Sequence, residues 1–114
     1  MPTMPFEFGN VVLVPFPFTN LAAFKQRPAV VVSSRIYNDA KPDIVIMPVT
    51  SQLRSVSSLG EVLIGEWRQA NLLKPSVIKP VFATLEQRLV IRSLGILQAQ
   101  DQASLRAAIA TVLG

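Results

Sequence analysis

Along most of this chain the apolar residues come in short bursts bounded by Pro and Gly, and only the last segment shows helical spacing. Asn10–Phe16 (NVVLVPF), dense in Val between Gly9 and Pro17, predicts a strand, and Pro15 marks a strand end or an edge position. Residues 18–27 (FTNLAAFKQR) lack periodicity and read as a connecting loop that closes on Pro28. Residues 29–34 (AVVVSS) then predict a second strand, apolar enough to be buried on both faces. After turn-compatible residues 35–42, residues 43–49 (DIVIMPV) predict a third strand with Thr50 at its end.

The second half continues in the same way. Residues 51–58 are polar, residues 61–64 resume a short strand after Gly60, and residues 66–70 predict one helical turn stopped by Asn71 in a left-handed conformation. Residues 76–85 read as a strand interrupted at Pro80, and residues 89–97 as a strand bent near Gly95. Asp101 is the expected N-cap of a terminal helix, where Leu105, Ala108, Ile109 and Val112 form an apolar stripe. Several short strands followed by one helix predict a mainly β domain: a small, curled, mostly antiparallel barrel with the helix packed on it. A length of 114 residues matches one domain, residues 1–114, and half of those residues are hydrophobic.

Composition narrows the chemistry more than it narrows the fold. The chain has no Cys and no His, which removes thiolate nucleophiles, Cys-based metal sites, and the commonest general base and metal ligand. Hydroxyls, carboxylates, Lys and Arg remain. Eleven Lys and Arg against seven Asp and Glu give +4, which favours a polyanionic partner over a cationic one and is equally the charge of an ordinary basic domain. Each half of the chain carries +2, so there is no basic tail. The longest uncharged run, Phe8 to Phe24, contains Gly9, Pro15 and Pro17 and is no spanning helix; no basic residue precedes Lys25 as a secretory signal requires, and a cytoplasmic location is expected.

Arg27 opens the second strand, where a guanidinium can reach from the rim of the barrel to phosphate oxygens; it can equally be a solvated or ion-paired strand residue. Thr50 can donate its hydroxyl to a developing oxyanion, or serve only as a β-branched strand end. Ser51, Gln52 and Arg54 extend this polar group into the next loop. Asp39 and Asp43 flank Lys41 and Pro42, where a surface ion pair is the simpler reading, and no carboxylate cluster suits a two-metal nuclease, so no metal is expected. Trp67 can stack on a base or pack in the core beside Leu72 and Leu73. The five glycines form neither a P-loop nor a dinucleotide fingerprint.

Five blocks in order resemble the PemK/MazF family of toxins: Gly9-Asn10-Val11-Val12 leading to Pro17-Phe18-Thr19, Arg27-Pro28-Ala29-Val30-Val31-Val32-Ser33, Met47-Pro48-Val49-Thr50-Ser51, Leu73-Lys74-Pro75-Ser76-Val77, and Leu94-Gly95-Ile96-Leu97. The resemblance implies an SH3-like barrel with a C-terminal helix, assembled as a homodimer. It also implies a metal-independent endoribonuclease, without a cofactor, that cleaves single-stranded RNA and is neutralised by a cognate acidic antitoxin. The family's catalytic pair falls on Arg27 and Thr50, and RNA contacts are expected from Thr19, Asn20, Lys25, Ser51, Gln52 and Arg54. The implied reaction is attack of a ribose 2′-hydroxyl on the adjacent phosphorus, with Arg27 stabilising phosphoryl charge and Thr50 hydrogen-bonding the same centre.

The chain departs from the family in the loop before Arg27. A Gly-x-Glu segment common there is absent from Leu21-Ala22-Ala23-Phe24-Lys25-Gln26, and Phe24 can stack on a base, cover the site or meet the antitoxin. Two other functions use the same fold: a non-catalytic CcdB-like gyrase poison or nucleic-acid binder, and a structural partner that depends on its antitoxin.

Overall fold

The computed structural model describes residues 5–16, 25–52 and 58–114. Among them, seven strands and two α-helices run in the order β1 (Asn10–Phe16), β2 (Lys25–Val31), α1 (Arg35–Ala40), β3 (Asp43–Thr50), β4 (Val62–Leu63), β5 (Val77–Ile78), β6 (Ala83–Glu86), β7 (Arg92–Ile96) and α2 (Ala99–Leu113). All pairings are antiparallel, in the spatial order β4-β5-β3-β2-β1-β7, with β6 joining β3 along the stretch that β5 leaves free. The result is the predicted architecture: a curled, mostly antiparallel sheet with a terminal helix.

The sheet is buried on both faces, as the unbroken Val runs require. Along β2, Val30 belongs to one hydrophobic cluster while its neighbours Ala29 and Val31 belong to another, and all three are fully buried. The first cluster also takes in Met47, Val49, Ile64 and Leu105 of α2; the second takes in Val12, Val14, Ile44 and Ile46. Trp67 packs against the first cluster with Arg68 stacked 4.6 Å from its ring centroid, so its main role is in packing. Pro15 lies where β7 no longer pairs with β1, so its missing N–H interrupts no ladder on that side.

Three sequence expectations are corrected. Lys25, Gln26 and Arg27 are not loop: they pair with Phe16, Pro15 and Val14, and β2 ends at Val31, earlier than expected. Residues 35–40 form the short helix α1, started by Ser34, whose Oγ accepts the N–H of Tyr37 at 3.1 Å. Asp101 is not the N-cap of α2, which begins at Ala99 with Gln98 as its cap residue. Instead the buried Asp101 carboxylate accepts the backbone N–H groups of Gly65 and Glu66, each at 2.9 Å, and ties the helix to the segment after β4.

Candidate active site

Arg27 sits opposite Val14 in the ladder between β1 and β2, and its guanidinium carbon lies 5.4 Å from the ring centroid of Phe16. Phe16 is the diagonal neighbour two residues along β1, within reach on the same face. Ring contact steers the guanidinium without using any of its N–H groups, which stay available to an anion. The last observed pair between β2 and β3 is Ala29 with Pro48. Two further residues on each strand lead to Arg27 and Thr50, so the register brings these two to the same level of the sheet.

Thr50 ends β3 opposite Val77. Its Oγ1 accepts the N–H of Gln52 at 3.1 Å, a short side-chain turn that orients the hydroxyl, and among the described residues its own O–H donates to none. Beside it opens a cavity of about 370 Å³ whose cationic walls are Arg27, Lys74 and Arg92, with Ser51, Asn71 and Ser76 among its polar groups. Leu13, Val49 and Leu72 give it an apolar floor. Thr50 itself does not line this cavity; its chain neighbours Val49 and Ser51 do, and Ser51, just past the end of β3, supplies the lining hydroxyl there.

Close backbone packing brings Lys74 to the site. Residues 66–71 make the predicted helical turn, with the N–H of Ala70 bonded to the Glu66 carbonyl at 3.2 Å, and Asn71 stops it at φ 61°. Asn71 Nδ2 donates to the Leu94 carbonyl at 2.7 Å. A Cβ at Gly95 would lie 2.8 Å from the Ala70 carbonyl oxygen, so β7 and this turn approach as only a glycine permits. Ser76 Oγ then donates to the Lys74 carbonyl at 2.8 Å, and Arg92 enters from β7 opposite Leu13.

The cavity's charge is one-sided. None of Arg27, Lys74 and Arg92 forms an ion pair with a described residue, and no carboxylate lines the cavity. The two acids singled out in the sequence are occupied elsewhere: Arg35 Nε lies 3.5 Å from Asp39, and the Tyr37 hydroxyl donates to Asp43 at 3.0 Å, which raises the Tyr37 pKa. Asp39 and Asp43 thus serve separate surface contacts. Among the described residues no three His, Cys, Asp or Glu stand together as metal ligands, and no helix is long and apolar enough to cross a membrane.

Of the other residues expected from sequence, Lys25 is exposed at the start of β2 and Gln52 is exposed after Thr50. Thr19, Asn20, Phe24 and Arg54 lie outside the described residues. Lys74 and Arg92 were not expected. Lys74 stands within a block used only for the resemblance, and the position of Arg92 depends on a register that one strand alone does not reveal.

Solved structures with this fold cover nearly the whole chain. MazF from Deinococcus radiodurans superimposes with a TM-score of 0.75 at 24% identity, covering 98% of this chain and 99% of that one. A MazE–MazF complex from the same organism gives 0.77 at 24% identity, covering 96% and 97%. An endoribonuclease in complex with its cognate antitoxin, from a mycobacterial species, gives 0.75 at 20% identity, covering 98% and 96%. A comparison with curated proteins finds no match. The family model for PemK-like, MazF-like toxins matches residues 7–113, and the chain therefore belongs to this family of toxins from type II toxin–antitoxin systems.

Proposed function

We propose that this toxin is a metal-independent endoribonuclease that cleaves single-stranded RNA at the cavity between β2, β3 and β7. The observation that carries the reading is that three cations with no ion-pair partner among the described residues, Arg27, Lys74 and Arg92, line one cavity with the Ser51 hydroxyl, which follows Thr50 at the end of β3. RNA brings one negative charge per phosphate, and a cavity with cations and no acid suits a polyanion. The ribose 2′-oxygen attacks the adjacent phosphorus, the bond from phosphorus to O5′ breaks, and the products are a 2′,3′-cyclic phosphate and a 5′-hydroxyl. Arg27 holds the non-bridging oxygens as phosphoryl charge builds, and Thr50 donates to the same centre. Lys74 and Arg92 hold the phosphates on either side.

The need for a 2′-hydroxyl means that single-stranded DNA of the same sequence binds and is not cut. The protein acts in the cytoplasm as a homodimer, and a cognate antitoxin with an acidic segment covers the cationic cavity. Solved relatives of the same fold include toxins in complex with their antitoxins, which supports this partner. The test is incubation with single-stranded RNA in EDTA, alongside the matching DNA and a gyrase supercoiling assay. RNA cut in EDTA with DNA intact is the expected result. Intact RNA with supercoiling blocked would instead assign the chain to the gyrase-poisoning group of this fold.

A further inference from the structure

Asn71 closes its turn at φ 61°, a conformation that Asn tolerates and Gly adopts freely, and its exposed side chain lines the cavity with Arg27, Lys74 and Arg92. The 2.7 Å bond from Asn71 Nδ2 to the Leu94 carbonyl fixes which end of the amide is which, because the turned amide would set one oxygen against another. Oδ1 is thereby held as an acceptor, and among the described residues no donor reaches it. No other polar side chain of the cavity is an acceptor held in this way. Gln26 is held by no side-chain hydrogen bond among the described residues and can present either end of its amide, the Ser51 hydroxyl can turn, and Ser76 is buried with its hydroxyl given to the Lys74 carbonyl. The cavity, about 370 Å³ with an apolar floor of Leu13, Val49 and Leu72, suits the flat face of a base, since small-ligand sites are mostly apolar with a few placed polar groups.

We infer that Asn71 is a specificity-determining residue of this site: through Oδ1 it accepts a hydrogen bond from the exocyclic amine of an adenine or cytosine next to the cleaved phosphate. The inference rests on the ribonuclease reading above and says which bases that site takes. Adenine and cytosine carry an amine where guanine and uracil carry a carbonyl, and in a single strand these edges are free to be read. An amine donates to Oδ1, whereas a carbonyl in its place sets two acceptors against each other, a loss of about tenfold for one unmatched contact. The three cations hold phosphates that every RNA carries, so they give affinity without selection. The fixed acceptor supplies the selection.

The test maps cleavage sites on RNA of randomised sequence in EDTA for the parent and for Asn71→Gly, which suits φ 61° and removes the amide. The parent is expected to favour adenine or cytosine at one position beside the cut, and Asn71→Gly to lose that preference while preferences at other positions persist. A second measurement needs no variant: the parent is given a single-site oligonucleotide with adenine, purine or hypoxanthine at that position, so that C6 carries an amine, a hydrogen or a carbonyl. Its kcat/KM is expected to fall about tenfold from adenine to purine and at least as far to hypoxanthine. Parent cuts with no adenine or cytosine preference at any position, or equal cleavage of the three oligonucleotides, overturn the inference. A uniform loss over all sequences in Asn71→Gly with the preference intact also overturns it, since Asn71 would then only hold its turn to Leu94. A parent that cuts no RNA removes the ribonuclease reading itself, an outcome distinct from cleavage with the wrong base preference.

Discussion

The guanidinium carbon of Arg27 stands 5.4 Å from the ring centroid of Phe16, its diagonal neighbour across β1 and β2. A contact of this kind contributes about 0.5–1 kcal/mol at a partly exposed site. Its value here lies in orientation, because the ring guides the cation while leaving its N–H fork available for the phosphate of the proposed reaction. Phe16→Leu is expected to lower kcat/KM for RNA cleavage about two- to fivefold, the rate equivalent of that energy. Phe16→Tyr, which keeps the ring, should retain the parent value. Equal loss in both variants would show that the ring does not orient Arg27.

Lys74 and Arg92 line the same cavity as Arg27 and have no ion-pair partner among the described residues. Each contact between a cation and a phosphate of a single strand contributes about 0.7 to the slope of log affinity against log salt. Lys74→Gln and Arg92→Gln should each weaken binding of a single-stranded DNA analogue and reduce that slope by about 0.7, measured by fluorescence anisotropy from 50 to 300 mM KCl. An unchanged slope in either variant would remove that residue from the phosphate path.

The strands with apolar bursts were legible from the chain: β1 has the predicted bounds, and β3 runs one residue further, to Thr50. Polar residues 25–27 looked like loop because their strand pairing is satisfied by β1 and not signalled by hydrophobicity. The helix α1 is only six residues long and built from turn-compatible types, so its one signal was Ser34. Arg27 and Thr50 stand out in the sequence on the expectation that each lies at a strand end; Thr50 does end β3, whereas Arg27 is the third residue of β2. The contribution of Arg92 depends on its pairing opposite Leu13, and that of Lys74 on the packing of Gly95 against Ala70; both are tertiary relationships absent from local pattern.

Asp101 illustrates the same limit and leads to a stability prediction. It has the residue type of a helix cap, yet its carboxylate bonds to Gly65 and Glu66, more than thirty residues earlier, and is buried there. Asn cannot accept both N–H groups, since one of its side-chain atoms is itself a donor. Asp101→Asn is therefore expected to cost about 2–3 kcal/mol, through one lost charged hydrogen bond and a part-buried N–H set against an amide donor. For a chain of this size that is a fall in Tm of roughly 8 °C or more by thermal melting at pH 7. A fall of under about 2 °C would contradict the buried tether.

Tyr37 supplies a pH prediction. Its hydrogen bond to Asp43 is the main cause of a raised pKa, with desolvation and the neighbouring negative charge acting in the same direction. A phenol whose pKa is higher folded than unfolded contributes stability that is complete below its ordinary value, about 10, and is lost as pH rises through the raised one. Tyr37→Phe should thus melt below the parent at pH 8, and the gap should close as the pH is taken from 9 to 11. A gap that stays constant over that range would show that the bond to Asp43 does not carry the difference.

The central claim is that Arg27 and Thr50 cut RNA at the cationic cavity. Its most direct test is cleavage-site mapping on a long single-stranded RNA in EDTA with the parent, Arg27→Ala and Thr50→Ala, each first shown to be folded. The account predicts discrete parent cuts ending in 2′,3′-cyclic phosphate, a loss on the order of 10³-fold for Arg27→Ala, and a smaller loss for Thr50→Ala. A folded Arg27→Ala protein that cuts the same sites at the parent rate would contradict it.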